Sequence, residues 1–259
     1  MANRKEQLDH TIAEIHKRWG AQSIGRSPQQ FVRSVPSIST GFPALDAAVG
    51  CGGIPRGRIS ELIGVPTSGM TSLALMIAAR AQSEGGMVVY LDLDRCFDPA
   101  FARQMGVTLD YLILIHPHDA AQALDMLPDM VHNGGFDLMI CDMPLQAQGE
   151  EHLERKLASV MGRLLAPLSK DNGTLLFLTM LRSGQRRSNG DIPDYPQGAT
   201  LPHFATLRLL LRQERWLYRQ RDVLGCEARV TVIKNKLSAA GKQAQIVFTF
   251  NETGLGLDP

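Results

Sequence analysis

The residues Gly64-Val65-Pro66-Thr67-Ser68-Gly69-Met70-Thr71 carry the first pattern that could do chemistry. They follow an apolar run of strand type, Ile59 to Ile63, and precede a segment of helical periodicity that opens with Thr71, Ser72 and Leu73. A strand, a glycine-bearing loop and a helix in this order form a phosphate site. The glycines permit backbone angles that aim successive N–H groups into one concavity, and the helix adds the positive end of its dipole. Thr71 is placed to offer its hydroxyl to Mg2+. The pattern G-x-x-x-x-G-K-S/T fails only at the lysine, where Met70 stands. Methionine matches lysine in length but has no charge and no donor, which removes one charge-assisted hydrogen bond worth ~1.5 to 3 kcal/mol. That lowers affinity roughly tenfold to a hundredfold. Turnover should suffer more, because the transferring phosphoryl group loses one of its charge clamps. The competing reading is a glycine-rich turn without a ligand.

A carboxylate at the end of a buried strand would complete such a site. Phe136-Asp137-Leu138-Met139-Ile140-Cys141-Asp142 supplies one, with Asp142 at the carboxyl edge where open α/β sheets hold ligands. Asp92 and Asp94 end the strand Met87 to Leu91 and could orient a water; a pair of solvated loop acids is the alternative. His116 and His118 share strand spacing, but the sequence offers them no third metal ligand.

These residues need a frame to hold them. Apolar runs Ile59 to Ile63, Met87 to Leu91, Leu112 to Ile115, Leu138 to Cys141 and Thr174 to Leu178 alternate with helical patterns at Thr71 to Gln82, Ala120 to His132 and Glu150 to Leu168. Repeated βαβ units predict an α/β fold, a mostly parallel sheet with helices on both faces. Thr206 to Arg212, Arg229 to Ile233 and Gln245 to Phe250 predict antiparallel strands that extend it. Leu8, Ile12, Ile15 and Trp19 predict a short amphipathic helix over residues 6–19, followed by a linker from Ala21 to Ser37. Residues 1–34 then form an N-terminal helix and linker, a possible arm toward a neighbouring subunit, and residues 35–259 the core.

Bulk properties narrow the function. The 27 basic and 26 acidic residues nearly cancel, so any contact with nucleic acid must come from local patches. Cys51, Cys96, Cys141 and Cys226 lie far apart, without a CxxC pair, and read as reduced, with the last two in core strands. There is no apolar leader and no run long enough to span a membrane, so a cytoplasmic location is expected.

Ile38-Ser39-Thr40-Gly41 through Leu45-Asp46, followed by Gly52-Gly53-Ile54-Pro55-Arg56-Gly57-Arg58-Ile59, resembles the approach to the phosphate loop in the bacterial RecA recombinases. Phe97-Asp98-Pro99 with Ala102-Arg103 and Gly106-Val107, then Gln122-Ala123-Leu124, then Val232-Ile233-Lys234-Asn235-Lys236, are similar in the same order. The resemblance spans almost the whole chain and implies a P-loop NTPase core of RecA type. It implies a nucleotide site at Gly64, Val65, Pro66, Thr67, Ser68, Gly69, Met70, Thr71 and Ser72, with Asp98 and Phe101 near the adenine. ATP with Mg2+ is the implied cofactor pair, Thr71 and Asp142 serving the metal and Asp94 standing in place of a water-activating glutamate. Lys234 and Lys236 match lysines that reach the nucleotide of an adjoining subunit; a solvated strand edge guarded by lysine is their alternative.

The departures matter as much. Asp94 is one methylene shorter than the family's glutamate, and Thr179-Met180 replaces an Asn-Gln pair that links nucleotide state to DNA. The first DNA-binding loop, Leu145 to Glu150, is short, and the family's C-terminal domain is expected to be absent. The second DNA loop falls after Leu181, where Arg182, Arg186 and Arg187 could meet phosphate; a plain surface loop is the alternative. The expectation is a DNA recombination and repair protein of the SOS response that binds ATP and single-stranded DNA, hydrolyses ATP poorly, and assembles with itself or a RecA-type recombinase. Its rival is a non-enzymatic scaffold of the same fold, resembling ImuA-type accessory proteins, with a translesion repair protein as partner.

Overall fold

The computed structural model describes residues 2–20, 24, 35–143, 151–181, 200–251 and 254–256. The chain divides into two compact units, residues 1–34 and 35–259.

The first unit holds α1 (Ala2–Trp19), four residues longer at its start than the periodicity predicts. His16, Lys17 and Arg18 occupy its last turn, where cations favour the negative end of the helix dipole. Leu8 and Trp19 are exposed and Ile12 and Ile15 half-buried, so among the described residues of this unit the apolar stripe has little to bury against.

In chain order the second unit contains β1 (Ser37–Ile38), α2 (Pro43–Val49), β2 (Ile54–Pro55), β3 (Ile59–Gly64), α3 (Met70–Ser83), β4 (Val88–Asp92) and α4 (Pro99–Gln104). A 3-10 turn (Leu109–Tyr111) leads to β5 (Leu112–Ile115), α5 (Ala120–Asn133), β6 (Leu138–Asp142), α6 (Glu151–Asp171) and β7 (Thr174–Met180). After α7 (Thr200–Phe204) come β8 (Leu207–Arg219), β9 (Asp222–Asn235), β10 (Gln243–Asn251) and β11 (Gly254–Gly256).

The main sheet has nine strands in the order β11-β10-β9-β8-β3-β7-β6-β4-β5, and β1 with β2 form a separate pair. The six from β8 to β5 run parallel, while β9, β10 and β11 continue the sheet antiparallel. β3, β4, β6 and β7 read as continuous apolar runs because these parallel strands are covered on both faces, while β5 is apolar but open at the sheet edge. Side chains alternate: Leu62, Tyr90 and Ile140 face α2, α3 and α4, whereas Ile59, Met139 and Phe177 face α5 and α6.

The largest departure from the sequence expectation is the length of the β8–β9 hairpin strands, which run 13 and 14 residues. The outer half of the hairpin mixes charged residues with exposed Trp216, Tyr218, Val223 and Leu224, so no buried face marks its full length. Cross-strand ion pairs, Arg215 with Glu227 and Arg229 with Glu214, hold those residues in register instead.

Candidate functional site

β3 delivers the loop Gly64–Ser72 to the carboxyl edge of the sheet, where α3 begins. Thr67 and Gly69 adopt left-handed backbone angles, with φ of 66° and 85°. Ser68 N–H donates to the Val65 carbonyl at 3.1 Å, and Leu73 N–H to the Gly69 carbonyl at 2.9 Å. Residues alternating between the two backbone hands form a concave nest of N–H groups, here at a helix N-terminus. Both glycines are dictated by space. A Cβ at Gly64 would lie 2.2 Å from the Ser68 hydroxyl, and one at Gly69 would lie 2.6 Å from the Phe248 ring on β10.

The loop is held from below and from the side. Met70 is only 7% exposed and belongs to the same apolar cluster as Leu73 and Ile77, so its side chain serves the core. From the side, the Gln213 amide lies 3.2 Å from the Thr67 carbonyl and 3.0 Å from the Trp216 indole nitrogen. In that arrangement its NH2 donates to Thr67 and its oxygen accepts from Trp216. Thr71 is exposed and Ser72 half-buried, so the helix start remains open to a ligand.

Asp92 and Asp142 are register partners at the ends of β4 and β6. The Asp92 carboxylate is buried and accepts N–H donors from Cys96 at 3.0 Å and Phe97 at 2.9 Å, with His116 Nε2 at 3.5 Å. Asp142 Oδ2 accepts the Tyr90 hydroxyl at 2.6 Å. Burial holds the Asp142 carboxyl above the usual range against the lowering effect of that hydrogen bond, and the charges of Asp92 and Asp94 add to the rise. Burial, then the Asp142 carboxylate, push the Tyr90 phenol upward, so it stays a protonated donor. Asp94, given a catalytic role by resemblance, is exposed beyond this pair.

The backbone nest and the open Thr71 fit a nucleotide phosphate. The acidic side does not fit Mg2+ equally well, because Asp142 already holds an internal donor on one oxygen and both Asp92 oxygens are taken.

Lys234 ends β9 region with Asn235, and Lys236 lies just past the strand. Both ammonium groups reach α7. Lys234 donates to the Pro202 carbonyl and, at 3.0 Å, to that of His203, which also receives Lys236 at 3.1 Å. Burial, then the neighbouring cations Lys236 and Arg208, hold the Lys234 ammonium below its ordinary pKa. Asp98 caps α4, its Oδ1 accepting from Ala100 N at 2.8 Å and Phe101 N at 3.2 Å. Phe101 packs half-buried on the core. Arg182, Arg186 and Arg187, and the short loop Leu145 to Glu150, lie outside the described residues.

Sequence reasoning missed three groups beside the site. Tyr90 carried a signal, since it sits two residues before Asp92 and period two places both on one face. Glu61, fully buried on β3, accepts Thr179 Oγ1 at 2.7 Å and Arg208 Nε at 2.7 Å. Their alliance across three strands has no local signature, and neither has the reach of Gln213 to Thr67.

Comparison with known proteins agrees with this frame. The sequence pattern of the RecA N-terminal domain matches residues 6–255. The chain is 31% identical over 258 residues to Protein RecA of Oceanobacillus iheyensis, covering 95% of this chain and 74% of that protein. It is 30% identical to Protein RecA of Halalkalibacterium halodurans over 97% of this chain and 76% of the relative, and 32% identical to that of Bifidobacterium breve over 96% and 67%. With the strand order, the phosphate-type loop and a match over nearly its full length in agreement, the chain belongs to the RecA family.

Proposed function

We propose that this chain is a RecA-type DNA recombination and repair protein that works without efficient ATP hydrolysis, binding single-stranded DNA and associating with itself or with an active recombinase. The burial of Met70 carries the reading. The position that should present a charge to phosphate is a piece of the core. The loop keeps its backbone nest and its open helix start, so ATP binding survives in weakened form while the charge clamp needed during phosphoryl transfer does not. Self-association is supported by β5, an edge strand whose Ile113 and Leu114 are 46% and 37% exposed. An open apolar edge invites a further chain.

The reading is tested by calorimetry with ATP and by phosphate release. Weak binding without turnover is expected; turnover comparable with a lysine-bearing relative would refute it.

The placement of Lys234 and Lys236 favours a second reading, a RecA-fold scaffold supporting mutagenic repair through a translesion partner. Both lysines donate to α7 carbonyls within their own subunit, Lys234 half-buried and Lys236 exposed. A titration of single-stranded DNA with and without ATP separates the two. Affinity that rises with ATP supports the recombinase-like reading, and DNA affinity indifferent to ATP, or absent, supports the scaffold.

A further inference from the structure

Tyr90 is 1% exposed, and its ring lies 4.9 Å from that of Phe97 at an interplanar angle of 57°. The Phe97 amide donates to Asp92, so the turn that closes on the Tyr90 ring is fastened to the neighbouring carboxylate. The phenol therefore cannot swing aside without opening the turn, and its hydroxyl stays on Asp142 at 2.6 Å. Mg2+ demands near-ideal octahedral geometry and keeps several waters, so even a carboxylate that meets it through water must give up its lone pairs to those waters. At Asp142 one oxygen is already engaged by a donor that costs no ordering entropy.

We propose that Tyr90 is a positioning residue that commits Asp142 to an internal hydrogen bond, so that phosphate binding at the Gly64–Ser72 loop is independent of divalent metal. This rests on the reading that the loop takes a nucleotide phosphate. Asp92 is no substitute ligand, since its two oxygens receive Cys96 and Phe97. One oxygen of Asp142 and both oxygens of Asp92 thus receive donors from within the chain.

The test is ADP calorimetry with and without Mg2+ on the full chain, joined to Mn2+ titration followed by paramagnetic resonance without nucleotide. The wild type is expected to bind ADP equally in both conditions and to leave the free Mn2+ signal unchanged. Tyr90→Phe should bind ADP more tightly with Mg2+, by roughly tenfold to a hundredfold, the usual scale of partners that tune a metal ligand. It should also take up Mn2+. Adding Asp142→Asn to Tyr90→Phe should erase both gains, which a merely structural role for Tyr90 would not produce. Mg2+-dependent ADP binding by the wild type overturns the proposal, as does a Tyr90→Phe protein that responds to neither metal. If no variant binds ADP, the phosphate reading of the loop falls while the Mn2+ comparison still decides the role of Tyr90. If Tyr90→Phe fails to fold, Asp142→Asn alone decides: its effect on ADP affinity must be the same with and without Mg2+, and a loss confined to the Mg2+ condition overturns the proposal.

Discussion

Thr179 donates its hydroxyl to Glu61 at 2.7 Å, joining the end of β7 to the middle of the strand that feeds the phosphate-type loop. Arg208 Nε holds the other oxygen of the same carboxylate, so one buried anion ties three strands. Thr179 occupies a position where the resemblance implies an asparagine with a coupling role. Here it serves an internal ion pair, and the adjacent Met180 is 56% exposed.

Thr179→Val should lower stability by about 1 to 3 kcal/mol, because it leaves a buried carboxylate oxygen without that donor. Arg208→Met should cost more, about 3 to 5 kcal/mol, by removing the guanidinium that pairs with the buried Glu61 charge. Urea unfolding measures both; equal and negligible effects would show that the cluster is not stabilising.

Met70→Lys places an ammonium where the core now lies. The expected result is a lower melting temperature together with ADP affinity raised roughly tenfold to a hundredfold. Calorimetry and thermal melts read the two effects separately. A gain in stability would contradict the core role of Met70.

The Asp142 carboxyl is raised, chiefly by burial, so the folded state holds its proton more tightly than the unfolded state, whose value lies near about 3.9. Stability contributed by that proton is present below the unfolded value and is lost as pH rises through the folded one. Asp142→Asn should therefore gain on the wild type as pH rises through this window and hold the difference beyond it. A difference in urea midpoint that stays flat with pH would dismiss the shift.

For DNA, changing Arg186 and Arg187 to Ala together should reduce the salt dependence of single-strand binding by about 1.4 in log–log slope, two phosphates at about 0.7 each. Fluorescence anisotropy across a salt series reads this. An unchanged slope removes the segment from the DNA interface.

Ile113→Lys with Leu114→Lys places charge along the exposed β5 edge, a device by which natural edges resist pairing. Sedimentation velocity should show loss of self-association without loss of fold. Assembly that persists unchanged would locate the contact elsewhere.

The parallel strands β3, β4, β6 and β7 were legible because they are buried on both faces and so read as apolar runs. The full length of β8 and β9 was not, since their outer halves are ordered by Arg215 with Glu227 and Arg229 with Glu214, partners distant in sequence. The loop and its missing lysine were plain from spacing. What Met70, Asp142 and Lys234 touch was not, because burial, the Tyr90 hydroxyl and the α7 carbonyls arrive from other elements. α2, α4 and α7 escaped notice for a simpler reason: at seven, six and five residues they are too short to develop periodicity.

Met70 also bears on signalling. A ligand moves a conformational equilibrium only by the difference between its affinities for the two states. The loop is anchored from below by a core side chain and from the side by Gln213, which narrows the arrangements between which a nucleotide could choose. A nucleotide seated there would have to report its presence through the side of the loop away from these two anchors, at the open start of α3 around Thr71.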